Sequence, residues 1–265
     1  MYRLSFYLLI IILATSCQSN NEKTKTTLDN EVALVENPAA DGFNIEQSDP
    51  VAIKIADDVM MAQGGRKNWD DTRFISWNFF GARKLYWDKH TGDVRVKYLR
   101  EDMEAIVNIN TEKGRVMKGG EELTHSDSLN KYLTRAKNVW INDSYWLVMP
   151  FKLKDSGVTL SYIDEDTTMD GRQAYLLDLK FEGVGVTPQN YYQVWVDSET
   201  KLVSQWAYYR EATQEEPNFV MPWKDYKDFG KIKLSGDRGE RQVTEIQVHD
   251  SLPETFFTGF SPISI

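Results

Sequence analysis

After Trp69 the chain settles into a rhythm that leaves few folds open to it. Runs rich in aromatic and β-branched residues recur about every ten positions, and each ends in turn-forming residues. The spacing predicts strands near Phe74 to Trp87, Val94 to Leu99, Ala105 to Asn110, Arg115 to Lys118, Thr159 to Ile163, Ala174 to Phe181, Tyr191 to Val196 and Lys201 to Tyr209. Two more follow, near Ile232 and from Val243 to Val248. His90-Thr91-Gly92-Asp93, Lys118-Gly119-Gly120-Glu121, Met169-Asp170-Gly171 and Asp197-Ser198-Glu199-Thr200 supply the turns. Short consecutive strands with tight connections pair antiparallel. The expectation is a mainly β (α+β) protein.

Two helices interrupt the strands. Ser48 and Asp49 can cap, and Pro50 suits a first helical turn. Val51, Ile55 and Val59 then repeat at spacings of four until Gly64-Gly65, which predicts an amphipathic helix of about 13 residues. A second helix is expected from Ser126 to Trp140, with Leu129, Leu133, Ala136 and Trp140 on one face and Lys131, Arg135 and Lys137 turned away.

Ahead of these lies a leader. Arg3 precedes an apolar run from Leu4 to Leu13, too short for a permanent membrane span but suited to a cleavable signal peptide. Leu13-Ala14-Thr15-Ser16-Cys17 resembles a bacterial lipobox. The resemblance implies that residues 1–16 are removed, and that Cys17, the only cysteine, becomes a lipidated N-terminus anchored in a membrane. A lipidated Cys17 leaves no thiol for a disulfide or a Cys-ligated metal. Residues 17–47 are polar and weakly patterned and read as a flexible tether, reaching roughly 30 Å. Residues 48–265 are expected to form a single domain of about 215 residues, enough for one sizeable core. The expected location is the cell envelope, at the outer membrane, with the leaflet undecided. A net charge of −9 argues against nucleic acid as a partner.

Two segments are similar to proteins of known fold. Val194-Trp195-Val196-Asp197-Ser198-Glu199-Thr200-Lys201-Leu202-Val203, preceded by Asp170-Gly171-Arg172-Gln173-Ala174-Tyr175-Leu176-Leu177-Asp178-Leu179, resembles a strand, Asp-turn, strand pattern. That pattern belongs to periplasmic lipoprotein carriers and outer-membrane lipoprotein-sorting proteins. Gly64 to Asp70, Ile75 to Gly81 and Trp140 to Pro150 resemble a Bacteroidota envelope lipoprotein family without assigned function. The resemblance implies a curved antiparallel sheet forming an incomplete β-barrel, its concave face covered by the two helices and lined with apolar residues. In the carriers that face holds acyl chains.

The candidate ligand-binding residues are Trp77, Phe79, Trp140, Trp146, Trp195 and Trp206, large apolar side chains on predicted elements. For each the competing interpretation is ordinary core packing, and the strand register that decides between them is not fixed by sequence. Trp223 falls in a turn-rich stretch through Phe229, expected to be a loop packed over the barrel's open edge or a docking aromatic.

Catalytic and metal chemistry find little footing. His90, His125 and His249 are not spaced as a metal pair. Asp164-Glu165-Asp166 followed by Thr168 and Asp170 begins like a calcium loop, but Met169 stands where the loop needs glycine, so a solvated turn is expected. Asn142-Asp143-Ser144 is expected to cap or turn the chain. No nucleophile elbow or phosphate loop is present. The expected function is non-catalytic binding of an acyl chain or other hydrophobic ligand, with no cofactor. The alternatives are a structural or partner-binding module with a filled barrel and, behind it, a hydrolase of envelope material.

Overall fold

The structure is a computed structural model describing residues 36–183, 185, 187 and 189–260. Cys17, the leader and the first part of the expected tether lie outside the described residues. The packed chain begins earlier than the expected boundary at Gln47, since Asn37 and Phe43 are both buried.

The first helix, α1 (Pro50–Ala62), starts where the sequence places it: the Asp49 carboxylate accepts the Val51 N–H at 2.8 Å. Its buried face is Ala52, Ile55, Ala56, Val59 and Met60, while Val51 is exposed. The two alanines, rather than Val51, form the seam that lets the helix seat closely. Gly64 (φ 113°) and Gly65 (φ 86°) stop it. A Cβ at Gly64 would collide with the Lys231 carbonyl oxygen, so the helix end meets a later loop backbone to backbone. A short helix absent from the sequence-based expectation, α2 (Arg66–Asp71), leads into the first strand.

The predicted run from Phe74 to Trp87 is two strands, β1 (Phe74–Phe79) and β2 (Arg83–Asp88). Phe80 (φ 52°) and Gly81 (φ 63°) turn the chain between them. The Phe80 ring stacks on Phe79 and meets Trp146 edge-on at 5.2 Å, contacts that help hold a non-glycine residue in the left-handed region. The meander continues through β3 (Asp93–Tyr98), β4 (Met103–Asn108), β5 (Gly114–Lys118) and β6 (Glu121–Glu122).

Next comes α3 (Ser126–Val148), which runs about two turns past its predicted end. Asn142-Asp143-Ser144, expected to cap or turn, lies inside this helix. Asp143 takes no part in capping: its carboxylate receives Arg83 Nε at 2.6 Å and Nη2 at 3.0 Å from β2. A residue that would otherwise compete with the helix backbone is thereby satisfied sideways.

A second sheet follows: β7 (Val158–Thr167), β8 (Gln173–Phe181), β9 (Tyr191–Asp197), β10 (Val203–Tyr209) and β11 (Phe219–Pro222). The acidic run that looked like a solvated turn is the end of β7. The chain then rejoins the first sheet through β12 (Lys224–Phe229), β13 (Ile232–Arg238) and β14 (Arg241–His249). Trp223 is the corner residue between sheets, buried rather than exposed, with the Arg238 guanidinium 3.3 Å above its ring.

All pairings are antiparallel, in the orders β12-β13-β14-β1-β2-β3-β4-β5-β6 and β11-β10-β9-β8-β7. The sheets meet at the Trp223 corner. Their other ends, β6 and β7, are joined by α3 instead of by a ladder, which leaves the barrel open as expected. One row of the larger sheet, Trp77, Leu85, Val96, Ala105 and Val116 in register across β1 to β5, has 0% exposure throughout. Against this sheet α3 packs, contacting β3, β4, β5 and β13.

The free edge of β7 is partly closed by the segment before α1. Asn44 and Asp49 donate their N–H groups to the carbonyls of Val158 (3.0 Å) and Leu160 (2.8 Å), and Leu160 N–H donates to Ser48 Oγ at 3.0 Å. These bonds are why residues 44–47, which composition alone assigned to the tether, are ordered against the body together with Ser48 and Asp49.

Candidate functional site

Past Trp140, α3 stays tied to the larger sheet through Asp143 and Trp146, and also reaches the smaller one, where Tyr145 meets Phe181 and Tyr192, and Trp146 meets Trp206. Between its last turns and that sheet lies a cavity of about 520 Å³. Period-2 alternation on paired strands puts Phe219, Tyr208 and Tyr192 side by side on β11, β10 and β9, with Trp206 one step along. Phe181 closes the wall from β8, and Trp140, Tyr145 and Trp146 face it from α3.

The rings brace one another. Tyr192 stacks on Trp206 with an interplanar angle of 3° at 5.4 Å, and Trp146 meets Trp206 edge-on at 4.8 Å. Tyr208 stacks on Phe219 at 5.2 Å. Because each ring is backed by another ring, the wall stands without side chains filling the space in front of it.

Polar groups occupy two stations. On one side Lys152 pairs with Asp155, each about one-third exposed, beside Ser156. On the other, Asn190 Nδ2 donates to Thr187 Oγ1 at 2.5 Å, and the Tyr208 hydroxyl donates to Asn190 Oδ1 at 3.3 Å. Burial pushes the Tyr192 hydroxyl up to about 12 and that of Tyr145 well above the ordinary tyrosine range, so both stay neutral. Asp155 is the one carboxylate among the described lining residues.

No family model matches the chain, and no curated protein matches it. Among solved structures it is similar to a DUF1329 family protein from Desulfovibrio piger, at 13% identity and a TM-score of 0.45, over 79% of this chain and 98% of that one. It is also similar to a LolA superfamily protein from Nitrosomonas europaea, at 10% identity and a TM-score of 0.38, over 78% of this chain and 97% of that one. At this distance the cavity has to be understood from its own residues.

Of the six candidate ligand-binding residues, Trp140, Trp146 and Trp206 meet at the cavity. Trp77 belongs to the filled row of the larger sheet, and Phe79 sits behind Trp146, 6.2 Å away. Trp195 is on the opposite face of β9 from Tyr192, where its Nε1 donates to Asp166 at 2.7 Å. It packs there with Tyr191 and Tyr209.

The sequence analysis missed Tyr145, Phe181, Tyr192, Tyr208 and Phe219. Tyr191-Tyr192 and Tyr208-Tyr209 are doublets, so one member points each way and alternation cannot say which. The signal that was available is Val194 and Val196, whose β-branched pair flanking Trp195 marks the inward parity of β9 and hence Tyr192.

No helix among the described residues is long and apolar enough to cross a membrane.

Proposed function

We propose that this protein is a non-catalytic envelope lipoprotein, tethered through a lipid on Cys17, that holds an acyl chain in the aromatic cavity. The observation that carries the proposal is a space of about 520 Å³ walled by eight aromatic residues on the concave side of an open barrel. That volume lies within the roughly 300–1,000 Å³ of ordinary ligand sites. Each methylene moved from water into it contributes ~0.8 kcal/mol. The lipid anchor would confine the search for ligand to the membrane's vicinity.

Native mass spectrometry on the chain starting at Gln18, purified without added lipid or detergent, tests the proposal. A reproducible adduct of lipid mass is expected. It should vanish in Phe219→Glu, which puts a charge at the partly exposed rim, and persist in Trp195→Phe on the other face of the sheet. A bare mass, with no uptake from envelope lipid vesicles, would sink the proposal and favour a partner-binding module.

A further inference from the structure

The cavity's electrostatics narrow what it holds, provided that it is an acyl-chain site as proposed above. The fully charged groups among its described lining residues are Lys152 and Asp155, and they are paired with each other. The remaining polar groups near the rim are neutral, with Asn190 held between Thr187 and Tyr208. The neighbouring positions whose side chains are not described are Val184, Val186 and Pro188, none of which ionises. The described lining residues therefore offer a compensated pair and neutral dipoles, with no spare full charge among them; the Arg241 guanidinium lies outside that lining, 5.9 Å from the Trp146 ring centroid.

We infer that the cavity selects acyl chains whose polar end is uncharged, such as a monoacylglycerol or another ester bearing hydroxyls, over free fatty acids. A carboxylate entering here loses hydration on the apolar side and meets the Asp155 carboxylate beside the cation that would have compensated it. An ester or hydroxyl faces no such penalty. The ester and hydroxyl oxygens accept from the ammonium protons of Lys152 that Asp155 does not use, or from the Asn190 amide, and the hydroxyls donate to the remaining oxygen lone pairs of Asp155 or Thr187.

The test is direct competition at pH 8, where a fatty acid is ionised, between 1-monomyristoylglycerol and myristate for the Gln18-onward chain, read by native mass spectrometry and by displacement of a fluorescent probe. The ester is expected to bind at least tenfold tighter. Asp155→Asn leaves Lys152 uncompensated and is expected to shift the acid-to-ester affinity ratio at least tenfold toward the acid. Its thermal unfolding serves as the check that the fold is intact. Binding of the two probes within threefold of each other, a preference for the acid, or a ratio unmoved by Asp155→Asn overturns the inference while leaving the acyl-chain site standing. Failure of both probes to bind the parent overturns the acyl-chain site itself and the inference with it.

Discussion

Across β1 to β5 the row Trp77, Leu85, Val96, Ala105 and Val116 is closed to solvent completely, whereas in the smaller sheet the row Phe219, Tyr208 and Tyr192 turns its rings toward a space of about 520 Å³. Both rows are built on antiparallel strands, one row in each sheet, and the same helix covers both. The difference lies in side-chain shape. Four aliphatic side chains of unequal size and a single ring, Trp77, share one buried cluster with Leu133 and Ala136 of α3 and leave no gap. Flat rings satisfy one another by stacking, which makes a wall and leaves the volume beyond it unclaimed. In this barrel, vacancy is a property of the residue set more than of the backbone.

The sharpest way to break that comparison is through the tie that holds α3 onto the filled half. Asp143 has a side-chain exposure of 0% and Arg83 of 22%. Arg83→Met strands a buried carboxylate and is expected to cost about 3–5 kcal/mol in urea unfolding. Asp143→Asn should cost less, because the half-buried guanidinium can recover water. Burial already pushes the Asp143 carboxyl above the ordinary aspartate range, the opposing pull of Arg83 notwithstanding. Without Arg83 its folded-state value rises further above the unfolded one, so folding then binds a proton. The stability deficit of Arg83→Met should accordingly narrow as pH falls through that folded-state value, and a deficit that widened toward acid would contradict the tie.

Next in size, Leu85→Ala opens a hole in the closed row and is expected to cost about 2–5 kcal/mol. Phe219→Leu, at the rim of a space already present, should cost about 1 kcal/mol. Equal losses in chemical denaturation would mean that the two interiors are not packed differently after all. Smallest, Asp49→Ala removes the cap of α1 and should cost about 1 kcal/mol. Because Asp49 N–H also bonds Leu160 on β7, hydrogen exchange in that variant should quicken at the β7 edge and leave β3 and β4 unchanged. Quickening in β3 or β4 instead would show the two halves to be one cooperative unit.

How far the sequence could go is visible in particular residues. The start and stop of α1 were legible because Asp49, Pro50 and the glycine pair act locally. The end of α3 was not, because the partner that makes Asp143 acceptable inside a helix is 60 residues away. The hairpin at Phe80 was hidden by a large aromatic in a backbone region that normally signals glycine. Trp223 gave composition but no corner, since a corner exists only once both sheets do. At the cavity, the tryptophans of α3 and Trp206 stood out by size, while the tyrosine doublets concealed which face they served, and Trp195 was assigned to the wrong one.

The pairing of β1 with β14 sets a timetable for the chain. Phe74-Ile75-Ser76-Trp77-Asn78-Phe79 gains one neighbour at once, β2, but its other neighbour is the last strand made, with Ile75 opposite Val248. Until the C-terminal strands arrive, an uncharged aromatic strand in the middle of the future sheet is an open edge, the kind of segment that recruits other unfinished chains. Such long-range closure is intrinsically slow. The interval between the appearance of β1 and the docking of β14 is therefore when this protein is most exposed to aggregation, and a chain cut short before Arg241 would never leave it.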